Sequence, residues 1–274
     1  MFNKIILSLS IIALIFINNT GQLSAHEFWI EPDAPSGDMQ LKMFAHVRVG
    51  QNFKGPEQYY IPDDIQKIKI YNPDSSYELK KTIGDYPIFN EPAKSPGLQI
   101  LSYQSTPYKL TYVTFEKFEK FIRNVGLDPV LEEHKKRGLP MAGFTELYIR
   151  YGKALLTRGN TSGQDKKLGF KIELIAQINP YEFDQSKSNG MMPIKLVWND
   201  QPLKNAQIAV FQKTENGALK SKIFTNGDGV AELPVSIGQT YMLNSVQMTE
   251  EIPKSGAVWK SHWASLTFTI TAKQ

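Results

Sequence analysis

Residues 193–234 read PIKLVWNDQPLKNAQIAVFQKTENGALKSKIFTNGDGVAELP, and this stretch decides the fold class. Short runs rich in Ile, Val, Leu and Phe alternate with turn residues, which is typical of strands rather than helices. The turn at residues 226–229, Asn-Gly-Asp-Gly, predicts a β-hairpin because such turns need residues that tolerate a positive φ. The stretch therefore predicts consecutive β-strands joined by tight turns.

The strand pattern continues on both sides of this stretch and fills the C-terminal part of the chain. Short strands at such regular spacing predict a β-sandwich over residues 168–274. The predicted strands are Phe170 to Ile178, Pro193 to Trp198, Ala206 to Gln212, Leu219 to Thr225, Val230 to Pro234, Thr240 to Gln247 and Ser265 to Thr271.

The N-terminal part, residues 26–160, is predicted to form a second β-sandwich domain. Residues 39–50 alternate strictly, with Val47 on the apolar face and His46 on the polar face, which predicts a half-buried strand. Residues 144–156 fit a helix or a strand, and their β-branched and aromatic content favours the strand. Residues 159–167 are polar and glycine-containing, which predicts a linker or a long loop.

Residues 114–138 interrupt the strands with a helical pattern. Phe118 and Ile122 recur at helical spacing, and Gly126 suits the end of a helix. Asp128 suits the cap of a second helix, and the proline after it suits the first helical position. The fold class predicted is mainly β, with two Ig-like or transthyretin-like sandwich domains and a short αα insertion.

Composition narrows the function classes. The 274 residues contain no cysteine, which excludes disulfides, thiol catalysis and thiolate metal sites. The 31 Lys and Arg against 27 Asp and Glu give a formal charge of +4 without a basic stripe, so no nucleic-acid partner is predicted. Common hydrolase and phosphate-binding motifs are absent from the sequence, and no enzyme is predicted.

Residues 1–25 have the pattern of a secretory signal peptide. Lys4 precedes an apolar run of about 13 residues, which is too short to span a bilayer, and the run is followed by polar residues. Cleavage after Ala25 would make His26 the first residue of the mature chain. The sequence therefore predicts an exported, periplasmic protein without a membrane span after processing.

The chain has four histidines, and three of them are candidate metal ligands. A free amine and the Nδ1 atom of His26 would form a six-membered chelate on one metal ion, and one further imidazole would complete a three-nitrogen site that suits copper. His46 and His262 are the candidate donors of that imidazole, and Glu27 is a candidate acceptor that orients the ring. The alternatives are a His26 that is simply the first residue of a strand, a surface His46, and a buried, hydrogen-bonded His262 between two tryptophans. His134 lies in a charged run and is predicted to be a surface residue.

The sequence His26-Glu27-Phe28-Trp29-Ile30-Glu31-Pro32 after an export signal resembles the N-terminal signature of a bacterial exported family of unknown function. Proteins of that family are often described as periplasmic components associated with nickel or cobalt uptake. Residues 48–55, 148–156 and 263–268 carry further matches. Residues 201–206 and 225–231 also resemble the carboxypeptidase-regulatory or transthyretin-like sandwich, a likeness that concerns the fold rather than the function.

The resemblance implies a role in transition-metal handling but does not identify the metal. Together with the chelate expected at His26, it predicts a divalent transition metal, nickel, cobalt or copper, bound through His26 for uptake or buffering, with a membrane transporter component as a partner. The alternative is a non-enzymatic cell-envelope module that recognises a protein or glycan partner through exposed aromatic residues such as Tyr59 and Tyr60. A histidine-brace copper oxidase is a third alternative. It needs an open coordination position and a substrate surface, and the sequence indicates neither.

Overall fold

The computed structural model describes residues 26–273, so the predicted signal peptide lies outside the described residues. The chain is mainly β, as predicted. No helix among residues 26–273 is long and apolar enough to cross a membrane. The strands are Glu27–Pro32 (β1), Met43–Gly50 (β2), Ile65–Tyr71 (β3), Ser76–Glu78 (β4), Phe89–Glu91 (β5), Gly97–Ser105 (β6), Tyr108–Tyr112 (β7), Phe144–Arg158 (β8), Ile172–Ala176 (β9), Met191–Trp198 (β10), Gln201–Pro202 (β11), Gln207–Thr214 (β12), Gly217–Phe224 (β13), Val230–Pro234 (β14), Thr240–Glu250 (β15) and Trp259–Thr269 (β16); the helices are Phe115–Val125 (α1), Pro129–Lys136 (α2) and Gln185–Ser188 (α3), with single 3-10 turns at Pro62–Asp64, Pro180–Glu182 and Pro253–Ser255.

One long sheet forms the middle of the molecule. Its strand order is β13-β12-β15-β16-β8-β6-β3-β4, and β7 pairs with the first part of β8. β16 and β8 run parallel, while the other pairs are antiparallel. Because β8 and β16 are neighbours, the sheet contains strands from both sides of the predicted division at residues 160–168.

Two smaller sheets cover the two faces of the long sheet. The sheet β1-β2-β5 buries residues such as Ile30 and Val47 on one face. The sheet of β9, β10, β11 and β14 buries residues such as Ile194 on the other. Since neighbouring side chains of a strand point to opposite faces, β8 contributes Ala154 to the first core and Leu155 to the second. The molecule therefore has sheet-on-sheet layers.

The predicted αα insertion is confirmed by α1 and α2. Phe118 and Ile122 are buried against β7, β8 and β16, and α1 ends at Gly126, whose φ of 74° is the left-handed conformation that glycine adopts at low cost. One detail is wrong, because Asp128 makes no side-chain cap. Its carboxylate instead accepts a hydrogen bond from Arg123 at 2.8 Å.

The hairpin predicted at residues 226–229 is also wrong. β13 pairs with β12 in the long sheet, whereas β14 pairs with β10 in a smaller sheet, so this turn passes the chain from one sheet to the other. The turn chemistry itself is present, because Asn226 Oδ1 accepts from the amides of Asp228 at 2.9 Å and Val230 at 3.0 Å. Local turn residues fix the bend but not the partner of each strand.

Candidate functional site

His26 immediately precedes β1 and is half-buried. Its Nδ1 atom is buried and has no hydrogen-bond partner among residues 26–273, so Glu27 does not orient the ring through this atom. Glu27 is held elsewhere: the amide of Asn52 donates to its Oε2 at 3.2 Å, and Lys220 Nζ lies 3.6 Å from its Oε1. Burial raises the pKa of Glu27, and Lys220 opposes this shift.

His46 lies toward the other end of the β1–β2 pair. His46 is paired with Glu31, which lies five residues along the chain from His26. The backbones of His26 and His46 are therefore about 16 Å apart along the strand direction. His46 Nε2 lies 2.9 Å from Asp33 Oδ1, and Nδ1 lies 2.9 Å from Glu57 Oε2. Carboxylate oxygens therefore occupy the space beside both ring nitrogens, where a metal ion would need to lie at about 2.0–2.1 Å.

His262 is buried, as its position in the strand pattern predicted. The Tyr151 hydroxyl forms a hydrogen bond with His262 Nδ1 at 3.1 Å, the Tyr151 ring stacks on the imidazole, and Trp198 contacts the imidazole edge-on. The enclosing rings are thus Tyr151 and Trp198, not the two tryptophans nearest in sequence. Burial lowers the pKa of His262 to about 4, helped by Lys171 and Lys260, so the imidazole is neutral at pH 7.

The three predicted metal ligands are not brought together. His26 and His46 lie apart along the β1–β2 pair, and His262 points into the core on the opposite face of the long sheet, with Leu266. Within residues 26–273, no three His, Cys, Asp or Glu side chains form a group that could hold a metal ion.

The surface position predicted for His134 is wrong, because this side chain is fully buried. Trp259 Nε1 donates to its Nδ1 at 2.9 Å, which leaves the proton on Nε2, 3.0 Å from the carbonyl oxygen of Pro140. Burial lowers the pKa of His134. The sequence contained a signal for this position: His134 is three residues after the apolar Leu131 and lies on the same buried helix face.

A buried cation was also missed. Lys153 Nζ lies 2.7 Å from Asp165 Oδ1 and 3.1 Å from Glu173 Oε1, and all three side chains are excluded from solvent. Glu173 also accepts hydrogen bonds from three successive amides, those of residues 168–170. The segment 159–167, predicted as a linker, is thereby attached to the core through Asp165.

Glu146 is a second buried acid beneath the helices. Tyr112 donates to its Oε2 at 2.7 Å, and the Ser261 hydroxyl donates to its Oε1. Burial raises the pKa of Glu146 to about 7, although both hydrogen bonds favour the ionised form. Because Glu146 is enclosed by side chains, we assign it a structural role.

An exposed aromatic patch lies beside β2. We define the aromatic patch as Tyr59, Ile61, Ile83 and Tyr86, whose exposed fractions are 58%, 42%, 72% and 48%. The rings of Tyr59 and Tyr86 lie 5.0 Å apart between centroids. Tyr60, in contrast, is half-buried and packs against the core. Of the two tyrosines predicted as partner contacts, only Tyr59 is therefore well exposed.

The two loops that carry the aromatic patch are fixed to each other. The amide of Tyr60 donates to the carbonyl oxygen of Asp85 at 3.1 Å, and the amide of Gly84 donates to that of Tyr60 at 2.9 Å. Residues 58–65 and 82–87 contain three aspartates and no Lys, Arg or His. The patch therefore combines exposed apolar side chains with local negative charge in a chain of net positive charge.

Comparisons with known proteins identify a family but no activity. No curated protein matches the chain. One solved structure, described as a tetra-tandem repeat in the extending region of a large adhesion protein, is similar at 11% identity with a TM-score of 0.24; the match covers 89% of this chain and 49% of that one. The chain thus spans about half the length of that structure. The family model described as domain of unknown function DUF4198 matches residues 23–249, and the chain belongs to this family.

Proposed function

We propose that the chain is a non-enzymatic module of the cell envelope that binds a partner protein through the aromatic patch. The observation that carries this proposal is the group of four exposed apolar side chains on two hydrogen-bonded loops. Contiguous exposed apolar side chains with a polar rim are typical of interaction sites. The cell-envelope location rests on the predicted export signal.

The charge of the patch indicates the chemistry of the partner. Three aspartates lie on the same loops as the patch: Asp63, Asp64 and Asp85. A fourth, the exposed Asp33, contacts the ring of His46, and this ring lies 5.8 Å from that of Tyr86. Complementary charge raises the rate and the specificity of association. Tyrosine rings also attract cations. The proposed partner segment therefore carries Lys or Arg beside an apolar side chain.

A peptide pair tests this proposal. The probes are a Lys/Trp hexapeptide and its Glu/Trp counterpart, with binding measured by interferometry on the exported form of the protein. We expect the basic peptide to bind, and the double variant Tyr59→Ser, Tyr86→Ser to bind it about tenfold more weakly. Asp63→Asn should weaken binding of the basic peptide less than the double tyrosine variant does. Its effect should be larger at low salt than at high salt, because salt screens the charge of exposed groups.

The matched control is the double variant Leu219→Ser, Phe224→Ser, which removes two equally exposed apolar side chains on β13. Unchanged binding is expected for this variant. The proposal would be contradicted if the control loses as much affinity as the patch variant, or if the acidic peptide binds as tightly as the basic one.

Transition-metal binding is the second candidate, and it is favoured by the Nδ1 atom of His26, which has no hydrogen-bond partner in the described part of the chain. The full predicted ligand set does not fit, because His46 is held by two carboxylates and His262 is buried in another core. The chain would supply the amine and the imidazole of His26, and other molecules would complete the coordination of nickel, cobalt or copper. A histidine brace would need a third nitrogen, which neither His46 nor His262 is placed to supply.

Titration with Ni²⁺ or Cu²⁺ tests this candidate. The protein that begins at His26 is expected to bind one equivalent, and an extension of four glycines before His26 should weaken binding about tenfold, because it separates the amine from the imidazole and removes their chelate. His46→Gln should leave the affinity unchanged. Equal binding by the extended protein, or a similar loss in His46→Gln, would rule out a site built on His26 alone.

A further inference from the structure

A cleft of about 180 Å³ lies between α1 and the long sheet, away from the aromatic patch. One wall is formed by Phe121 and Val125 of α1, and the floor includes Asn244 and Trp263 of β15 and β16. Glu27, the first residue of β1, also lines the cleft. The cleft is not used by the function proposed above.

The apolar side of the cleft is preorganised. The rings of Phe121 and Trp263 stack at 5.3 Å with an angle of 9° between their planes. Trp263 Nε1 donates to Ser261 Oγ at 2.8 Å, which fixes the orientation of the indole. An apolar cavity of about 150 Å³ is large enough for benzene. The cleft is therefore suited to one aromatic ring with a short substituent.

The polar side of the cleft offers donors. Within the part of the chain that the structure describes, the buried Nδ2 atom of Asn244 has no hydrogen-bond partner. Lys220 and Lys222 of β13 line the same side, and Lys222 also donates to the carbonyl oxygen of Asn124 at 3.2 Å. Two lysines and one carboxylate, that of Glu27, line the cleft, and this carboxylate lies 3.6 Å from Lys220 Nζ. The net positive charge of these three side chains favours the binding of an anion in the cleft.

We infer that the cleft binds a small monocyclic aromatic carboxylate. The ring packs against Phe121 and Trp263, and the carboxylate accepts hydrogen bonds from Asn244 and Lys220. A neutral aromatic ligand would gain the ring contacts but would not gain the attraction of the lysines, so the site distinguishes an acid from its amide. Glu27 repels the anion and limits the affinity.

Fluorine NMR with 4-fluorophenylacetate as the probe tests this inference. We expect the acid to bind the intact protein at least about tenfold more tightly than 4-fluorophenylacetamide. Lys220→Met and Asn244→Leu should each weaken binding of the acid about fivefold or more, while Glu27→Gln should strengthen it. Ala209→Phe, which fills the cleft, should abolish binding.

The matched control is Lys204→Met, which removes an exposed lysine that is not among the residues lining the cleft. It should bind the acid like the parent protein, and the circular dichroism spectra of all variants should match that of the parent. Equal binding of acid and amide, an equal loss in Lys204→Met, or no binding of the acid at about 10 mM would each overturn the inference. None of these results bears on the aromatic patch.

Discussion

Replacing Lys153 with methionine is expected to lower the free energy of unfolding by about 3–5 kcal/mol. The substitution keeps most of the side-chain volume but leaves Asp165 and Glu173 buried without their cation. Lys153 Nζ also donates to the carbonyl oxygens of Lys166 and Leu174, which would lose this donor. Urea unfolding followed by tryptophan fluorescence measures the loss.

Two further variants show whether charge causes this loss. Adding Asp165→Asn and Glu173→Gln to Lys153→Met removes both uncompensated charges and should recover a large part of the stability. Lys167→Met removes a lysine that is paired with Asp200 at the surface, and it should change stability by no more than about 0.5 kcal/mol. A loss below about 1 kcal/mol in Lys153→Met would show that the buried cluster contributes little.

The second large effect is a pH dependence caused by Glu146. Its pKa rises from 4.5 to about 7 on folding, so the folded state holds this proton more tightly than the unfolded state. Its contribution is fully present below pH 4.5 and is lost as the pH rises to about 7, at a cost of about 3 kcal/mol. Glu146→Gln cannot ionise and should not show this loss.

The measurement is the difference in unfolding free energy between pH 5 and pH 8. Between pH 5 and pH 8, Glu146→Gln should lose about 2–3 kcal/mol less stability than the parent protein, and comparison at two pH values cancels any constant loss of hydrogen bonding. The lowered pKa of His262 has the opposite effect on the pH profile, because it lowers the stability of the folded state as the pH falls from 6.5 toward 4. This effect is the same in the parent protein and in Glu146→Gln, so it does not change the comparison. The exposed control Glu132→Gln should behave like the parent, and equal pH profiles for Glu146→Gln and the parent would contradict the prediction.

Local patterns predicted the fold class well. Alternation and turn residues identified most strands, and phenylalanine spacing identified α1 together with its end at Gly126. These features depend on neighbours within a few residues. The pairing of strands depends on residues far apart in the sequence. The turn at residues 226–229 therefore suggests a hairpin, although β13 and β14 belong to different sheets.

The candidate sites were harder to predict for the same reason. Lys153 and Glu173 are 20 residues apart, and nothing in either local sequence shows that they meet in the core. The aromatic patch joins Tyr59 to Tyr86 across two loops, whereas the sequence predicted exposed contacts at Tyr59 and its neighbour Tyr60 and did not indicate Tyr86. The residue types at His26 predict a chelate, but the local sequence does not show that both ring nitrogens of His46 lie beside carboxylates, those of Asp33 and Glu57.

The parallel pairing of β16 with β8 also affects how the molecule acquires its structure. β16 lies near the end of the described residues but in the interior of the long sheet, and its partner β8 precedes it by about a hundred residues. Until β16 has been synthesised, β8 presents an unpaired edge that is prone to aggregation. Contacts between such distant segments slow folding. Completion of the sheet is therefore a late event, and the two halves of the chain are expected to reach their final stability together.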